Sequence, residues 1–470
     1  MEQKNFELNG ELQNSENVIV ENKMGVMPVN KLLISMSLPM MVSMLVQALY
    51  NIVDSLFVAR ISEDALSAVS LAFPIQTLMI ALSGGTAVGL GTLLSRALGE
   101  KNHKRVSAIA TNGVFLISVI YAIFLIIGLF AIEPFFASQT KDAEIMKYGV
   151  EYLRVVCICS IGLCCQMIFE KLLQSTGKTT LSMVTQLIGA VINIILDPIF
   201  IFGYFGVPKM GVAGAAIATV IGQIIAAIVA ILLNFKKNTE IKFEFKGFRP
   251  SSHIIGQIYV IGIPSIIMQS IGSVMVYGMN QILMAFTSTA TAVFGAYFKL
   301  QSFIFMPIFG LNNGLVPIIA YNYGARKRER VIKAIKLGMI YAVSIMFVGI
   351  IVFQLIPDVL LNMFDASEQM LAIGIPALRI ISLHFVFAGF CIIAGSACQA
   401  LGNAVYSMIT SICRQLLVLL PAAYLLSKLG DVNYVWWAFP IAELVSVVLN
   451  IGFLTRTNKK VLRPMKETED

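Results

Sequence analysis

The sequence predicts an all-α polytopic membrane protein, with twelve transmembrane helices in two pseudo-symmetric six-helix lobes. Three observations predict it. Hydrophobic residues make up 57% of the 470 positions and charged residues 13%, about half the charged share of a soluble domain. Apolar runs recur at lengths of about 20 residues or more, enough to cross roughly 30 Å of hydrocarbon as a helix. Landmarks of the first half also return in the second at one nearly constant offset.

Hydropathy places the first six spans at about 32–59, 66–95, 107–131, 147–172, 180–203 and 211–235, and the second six at about 254–285, 292–321, 331–355, 371–399, 405–427 and 434–455. Residues 1–30 are polar and rich in Asn and Glu. They have neither the apolar core nor the small-residue cleavage site of a signal peptide, and are expected to form a cytoplasmic tail. The expected organisation continues with an N-lobe at 31–235, a cytoplasmic linker at 236–252, a C-lobe at 253–456 and a second tail at 457–470.

Orientation follows from lysine and arginine. Lys101, Lys104 and Arg105, the linker cluster Lys236 to Arg249, Arg326 to Arg330, and Arg456 to Arg463 fall in one alternating set of loops, while Glu63, Asp64, Asp142, Glu144, Asp365 and Glu368 fall in the other. By the positive-inside rule the basic set is cytoplasmic, so both termini are inside and the chain lies in the plasma membrane. The net charge of +8 is accounted for by these short clusters, and no nucleic-acid partner is expected.

Shifted by 225 residues, Pro39 meets Pro264, Gln76 meets Gln301 and Gly89 meets Gly314; Gly99 and Arg105 meet Gly324 and Arg330, Arg154 meets Arg379, and Gln174 with Gly177 meets Gln399 with Gly402. Agreement of scarce residue types and loop landmarks at one offset is the signature of a transporter with parallel repeats, whose substrate site lies near the midplane between the halves.

Within this scaffold two carboxylates lie at membrane depth, Asp54 and Asp197. An ionised side chain there costs several kcal/mol unless it faces a cavity or a partner. Asn51 stands three residues before Asp54 and Asn193 four before Asp197, so each pair shares a helix face. Pro198 cannot donate to the Ile194 carbonyl, which is left free for a cation or water. Carboxylate, amide oxygen, hydroxyl and carbonyl are the ligands a hard cation prefers. At the 225 offset Asp54 meets Met279, Asn193 meets Val418, Asp197 meets Ala422 and Thr219 meets Leu444, so this cluster's chemistry stands in the first half alone.

The segment LYNIVDSLFVARIS with Asn51 and Asp54 resembles the first helix of the multidrug and toxic compound extrusion family, NIILDPIFIFG with Asn193 and Asp197 its fifth, and GVAGAAIATV with Thr219 the start of its sixth. LLQSTGK at 172–178 and CQALGN at 398–403 fit its repeated helix-end motif, and the resemblance runs from Lys31 to Thr455. It implies a two-lobe antiporter that exports bulky, lipophilic organic cations in exchange for sodium ions or protons, with Asp54, Asn193, Asp197 and Thr219 as the ion-coupling cluster. It implies no cofactor beyond the coupling ion. The acidic residue that another branch carries in its seventh helix is absent between Ile254 and Phe286, which points to the branch related to DNA-damage-inducible proteins and their staphylococcal multidrug relatives.

Further polar residues at or near membrane depth are candidates for the cavity lining: Asn51, Gln269, Tyr277, Asn280, Gln281, Lys299 and Arg414, with Glu443 as a pairing partner for the cations. Arg154 and Arg379 are expected to snorkel toward the outer ends of their helices. The 23 methionines and 30 phenylalanines suit a promiscuous pocket, although most are expected to pack in the bundle or face lipid. All seven cysteines fall in predicted spans without metal-ligand or CxxC spacing, and the three histidines are scattered. With no Walker sequence and no nucleophile elbow, neither ATP-driven transport nor enzyme chemistry is expected. The alternative is a flippase for an anionic lipid-linked saccharide, whose cavity would be cationic.

Overall fold

The structure, a computed structural model, describes residues 21–364 and 366–465. Most of the expected N-terminal tail, the last five residues and Asp365 lie outside the described residues. We number the spans α1 (Val29–Ala59), α2 (Glu63–Gly99), α3 (His103–Phe130), α4, α5 (Thr179–Phe202), α6 (Gly211–Lys237), α7 (Ser252–Met284), α8 (Ser288–Gly324), α9 (Arg328–Leu355), α10, α11 and α12 (Ala438–Thr457). Two spans are broken: α4 joins Ala143–Ile158 to Ile161–Ser175 at 47°, and α10 joins Glu368–Ser382 to Phe385–Ala400 at 45°. In α11, an α-helix at Ala404–Ile412 passes through a π-helical turn at Cys413–Leu419 into Leu420–Ser427. Counting each bent pair once, twelve helices are long and apolar enough to cross a membrane among the described residues.

The repeat recurs in local geometry. Short helices at Ile132–Gln139 and Pro357–Asn362 precede the two broken spans and begin 225 residues apart. Each broken span ends in the same backbone motif. The Gly177 N–H donates to the Gln174 carbonyl at 3.0 Å and that of Lys178 to Leu173 at 2.8 Å; Gly402 donates to Gln399 at 3.1 Å and Asn403 to Cys398 at 2.8 Å. This pattern needs a left-handed residue after the helix, and Gly177 and Gly402 supply it at φ 85° and 88°. The two helix-end motifs legible in the sequence are therefore one structural device used twice.

The halves meet through α1 and α2 on one side and α7 and α8 on the other, at the end that carries the basic loops. Glycines set the distance. A side chain at Gly99 would overlap the Tyr321 carbonyl, and one at Gly324 would overlap the Arg96 carbonyl. Gly85 lies against Ile266 and Gly310 against Met41; Gly89 lies against Gly262 and Gly314 against Ser37. Each pair of contacts interchanges under the 225 shift, so the backbone crossings are related by the pseudo-two-fold of the repeat. Small residues permit such close approach between membrane helices. The Ser37 hydroxyl also donates to the Leu311 carbonyl at 3.2 Å.

The segment before α1 covers the same end. The Asn22 amide donates to the Thr176 carbonyl of the first half and to Glu240 of the linker, while Asn322 and Arg330 of the second half donate to the Met24 carbonyl. Toward the opposite ends of α1, α2 and α7, Leu56, Phe73, Tyr277 and Met284 are exposed.

Gly99→Ala and Gly324→Ala are expected to destabilise the sealed fold by about 1–3 kcal/mol each, because a Cβ must displace backbone. Gly256, with open space around it, tolerates alanine at no cost or with a gain of up to about 1 kcal/mol. Thermal unfolding of the purified variants checks this, and identical melting of all three would count against the glycine-set contact.

Candidate transport site

The first-lobe cluster assembles between α1, α5 and α6. On α5, Gly189, Ala190, Asn193 and Asp197 are buried on one face, while Val191 and Ile195 are exposed on the other. The polar side of this helix thus turns inward, as a membrane span requires. Gly222 of α6 packs on the Gly189 carbonyl, and this crossing brings Thr219 to Asn193. With the amide oriented by its hydrogen bonds, Asn193 donates to Asp197 Oδ2 at 3.2 Å. It accepts from the Thr219 hydroxyl at 3.1 Å and from the Thr219 backbone N–H at 3.2 Å.

Asp54 comes from α1, and its carboxyl lies within hydrogen-bonding reach of Asp197. One oxygen of each acid, Oδ1, is buried and has no hydrogen-bond partner in the protein. Two facing carboxylates repel unless a proton or a cation lies between them, so the pair is chemically incomplete without one. Asn51 is exposed and does not line the cavity between the halves.

A cavity of about 640 Å³ lies between the halves, within the range that holds a drug-sized molecule. Tyr50, Asn193 and Thr219 line it, whereas Asp54 and Asp197, each four residues further along the helix from Tyr50 and Asn193, are not among the lining residues. Eight glutamines and four asparagines line it, against two aromatic residues, Tyr50 and Phe309. The lining is therefore an amide-rich surface with Met44, Met167 and Met268 interspersed, rather than an aromatic cage.

Of the polar residues singled out in the second half, Gln269 and Arg414 line the cavity. Arg414 Nη1 lies 3.3 Å from Glu443 Oε2. Lys299 is exposed and sits over the Phe364 ring at 5.9 Å. Tyr277 and Gln281 are exposed and Asn280 is half-buried, all outside the cavity lining.

Two charged residues emerge that sequence reasoning passed over. Glu170 and Lys171 are both buried and both on the cavity wall. Glu170 accepts from Gln166 at 3.0 Å, Thr185 at 3.0 Å and Gln186 at 2.8 Å, all within the first half. Lys171 donates to Gln174 at 3.2 Å and, across the two halves, to Asn313 at 3.1 Å. Its stem passes over Gly91, where a larger residue would collide with it. The available signal was the adjacent pair of opposite charges just before LLQSTGK, inside the predicted fourth span.

The MatE family profile matches residues 39–199 and 259–425, one segment in each half. The chain belongs to the MATE family. Membership makes it a transporter-family protein and not an enzyme. It is similar to the multidrug export protein MepA of Staphylococcus haemolyticus, 28% identical over 420 residues that cover 89% of this chain and 92% of the relative. It is likewise similar to MepA of Staphylococcus aureus, at 27% over 421 residues covering 88% and 91%. Among solved structures, a MATE in complex with MaL6 aligns with a TM-score of 0.89 at 25% identity, covering 95% of this chain and 100% of that one. An outward-facing multidrug resistance MATE transporter of the MOP superfamily aligns with the same score and identity, covering 95% and 99%.

Thr219→Val removes the hydroxyl that fixes the Asn193 amide and is expected to cost about 0.5–1.5 kcal/mol. Thr219→Ser should restore most of it. Melting curves of the two variants separate the hydrogen bond from packing, and a valine variant as stable as wild type would remove Thr219 from the network.

Proposed function

We propose that this MATE-family chain is a secondary active multidrug exporter of the plasma membrane. In this reading it expels lipophilic organic cations in exchange for a proton or sodium ion bound at Asp54 and Asp197. The observation that carries the proposal is the pair of interacting, incompletely satisfied carboxyls one helical turn along from Tyr50 and Asn193, which line a drug-sized cavity. The similarity to the multidrug export protein MepA supports the same reading.

With the basic loops cytoplasmic, the glycine-sealed end is the cytoplasmic end and the cavity belongs to an outward-facing state. Ion binding at the acid pair then favours one orientation over the other by no more than the ion's differential affinity for the two. The flippase alternative asks for a cationic cavity. Glu170 stands beside Lys171 on the wall, and Glu443 partners Arg414, a mixture of signs that favours the exporter.

The donor geometry bears on which ion is carried. The Asn193 nitrogen points at Asp197, so a sodium ion there requires the amide to turn its oxygen inward, giving up its bonds to Asp197 and to the Thr219 N–H while donating to the Thr219 hydroxyl instead of accepting from it. A proton requires no such rearrangement. Both ions would still occupy one site and exclude each other.

Dye efflux from reconstituted vesicles, with sodium and proton gradients imposed separately, tests the reading. Asp54→Asn and Asp197→Asn are each expected to reduce gradient-driven efflux by at least about tenfold while expression and folding stay near normal, because loss of a membrane-buried charge does not weaken a bundle. Met279→Ala and Ala422→Ser, at the matching positions of the second half, should have far smaller effects. Wild-type efflux in both acid variants would remove the proposed site.

Infrared difference spectroscopy addresses occupancy. The protonated-carboxyl band of wild type is expected to be altered in Asp197→Asn and to shrink as sodium is raised at fixed pH. A band untouched by saturating sodium would leave the proton as sole coupling ion.

A further inference from the structure

The charged groups on the cavity wall differ in how much of their bonding capacity is used. Glu170 accepts three hydrogen bonds from its own half, and Lys171 donates to two side-chain amides. Arg414 has five N–H donors in a rigid fork, and its one ion pair is the single 3.3 Å contact from Nη1 to Glu443. Its side chain retains 28% exposure and opens on the cavity, while Glu443 behind it is 3% exposed.

Its backbone position is special as well. Arg414 lies in the π-helical turn Cys413–Leu419, one residue wider per hydrogen-bonded loop than the α-helix on either side. Such insertions re-aim side chains and concentrate at functional sites. The counterpart of Arg414 at the 225 offset is Gly189, and that of Glu443 is Ala218, both within unbroken helices. This ion pair is therefore chemistry added to the second half alone.

We propose that Arg414 is the recognition group for a carboxylate on amphoteric substrates, holding it against the edge of the guanidinium that Glu443 leaves open. A planar guanidinium accommodates carboxylates on two edges and binds each more specifically than an ammonium does. Glu443 holds the fork in place and the π turn presents it. The surrounding amides suit the remaining hydrogen-bonding groups of such a molecule, and its cationic part meets the general requirement for an exported organic cation. The inference rests on the exporter reading for its biological meaning, although the binding it describes can be measured without transport.

The test uses two dyes, a rhodamine with a free benzoate and the methyl ester of the same dye, on the purified full chain in detergent. Fluorescence anisotropy is expected to give a Kd for the acid about tenfold below that for the ester, the size of one charge-assisted hydrogen-bonded contact. Arg414→Gln alone strands Glu443 as a buried uncompensated charge, so the decisive variant is Arg414→Gln with Glu443→Gln, which removes both charges together. It should erase the acid-to-ester difference, and Arg414→Lys should restore only part of it.

Equal Kd values for the two dyes in wild type would overturn the proposal. So would the wild-type ratio persisting in a monodisperse double variant. Discrimination between the dyes without gradient-driven efflux of either would reject the exporter reading and leave the carboxylate site standing.

Discussion

Everything in this molecule that resembles a transport site depends on backbone-to-backbone contact at six glycines. Gly85, Gly89 and Gly99 of α2, with Gly310, Gly314 and Gly324 of α8, let the two halves approach until atoms of the facing helix, carbonyl oxygens at Gly89, Gly99 and Gly324, occupy the space a Cβ would take. Lipid offers no hydrophobic force to press helices together, so close packing has to supply the attraction. Sealing one end this way leaves the midplane polar residues facing one another across a space, and that space is the cavity. The Lys171 to Asn313 hydrogen bond spans its floor between the halves. Opening that end requires these contacts to separate together, because a packed interface of this kind has discrete arrangements rather than a continuum.

Much of the scaffold was legible in the sequence because its determinants are local. Apolar length gives the spans, and the loop landmarks give the offset. That offset predicts which glycines exchange roles, since Gly99 on Tyr321 becomes Gly324 on Arg96 when 225 is added. The cluster around Asp197 was legible for a similar reason: four residues separate it from Asn193, and helical spacing alone puts both on the buried face. Thr219 needed the resemblance, because its approach to Asn193 depends on the Gly189 and Gly222 crossing.

What the sequence left open is which way a polar side chain faces. Helical periodicity does not distinguish a stripe turned to the cavity from one turned to the surroundings, so Tyr277 and Lys299 appeared equivalent to Gln269 and Arg414 until the helices were placed. Glu170 and Lys171 were obscured differently. They lie near a helix terminus, where charges ordinarily meet water, yet here that terminus is buried by the sealed end and by the neighbouring Gln186 and Asn313. The π turn at Arg414 had no signal in periodicity, because one inserted residue within a uniformly apolar run leaves the run apolar.

The duplicated scaffold carries unlike chemistry, and the physical consequence lies in α1. This helix presents Ser37 and Met41 to the second half's glycines at the sealed end, and Asp54 to Asp197 further along. From Met41 to Asp54 is 13 residues, roughly 20 Å of helix. One rod therefore touches both the seal and the carboxyl pair. Its partner α7 presents Gly262 and Ile266 to the seal in the same manner, but carries Met279 where Asp54 would be. In the proposed exporter, a proton or cation that relieved the repulsion between the two acids would act on α1 and α5, and would have no equivalent group to act on in α7. In that proposal the free energy that biases the seal enters from the first half, whereas the second half's Arg414 stands on the cavity wall with Glu443 buried behind it.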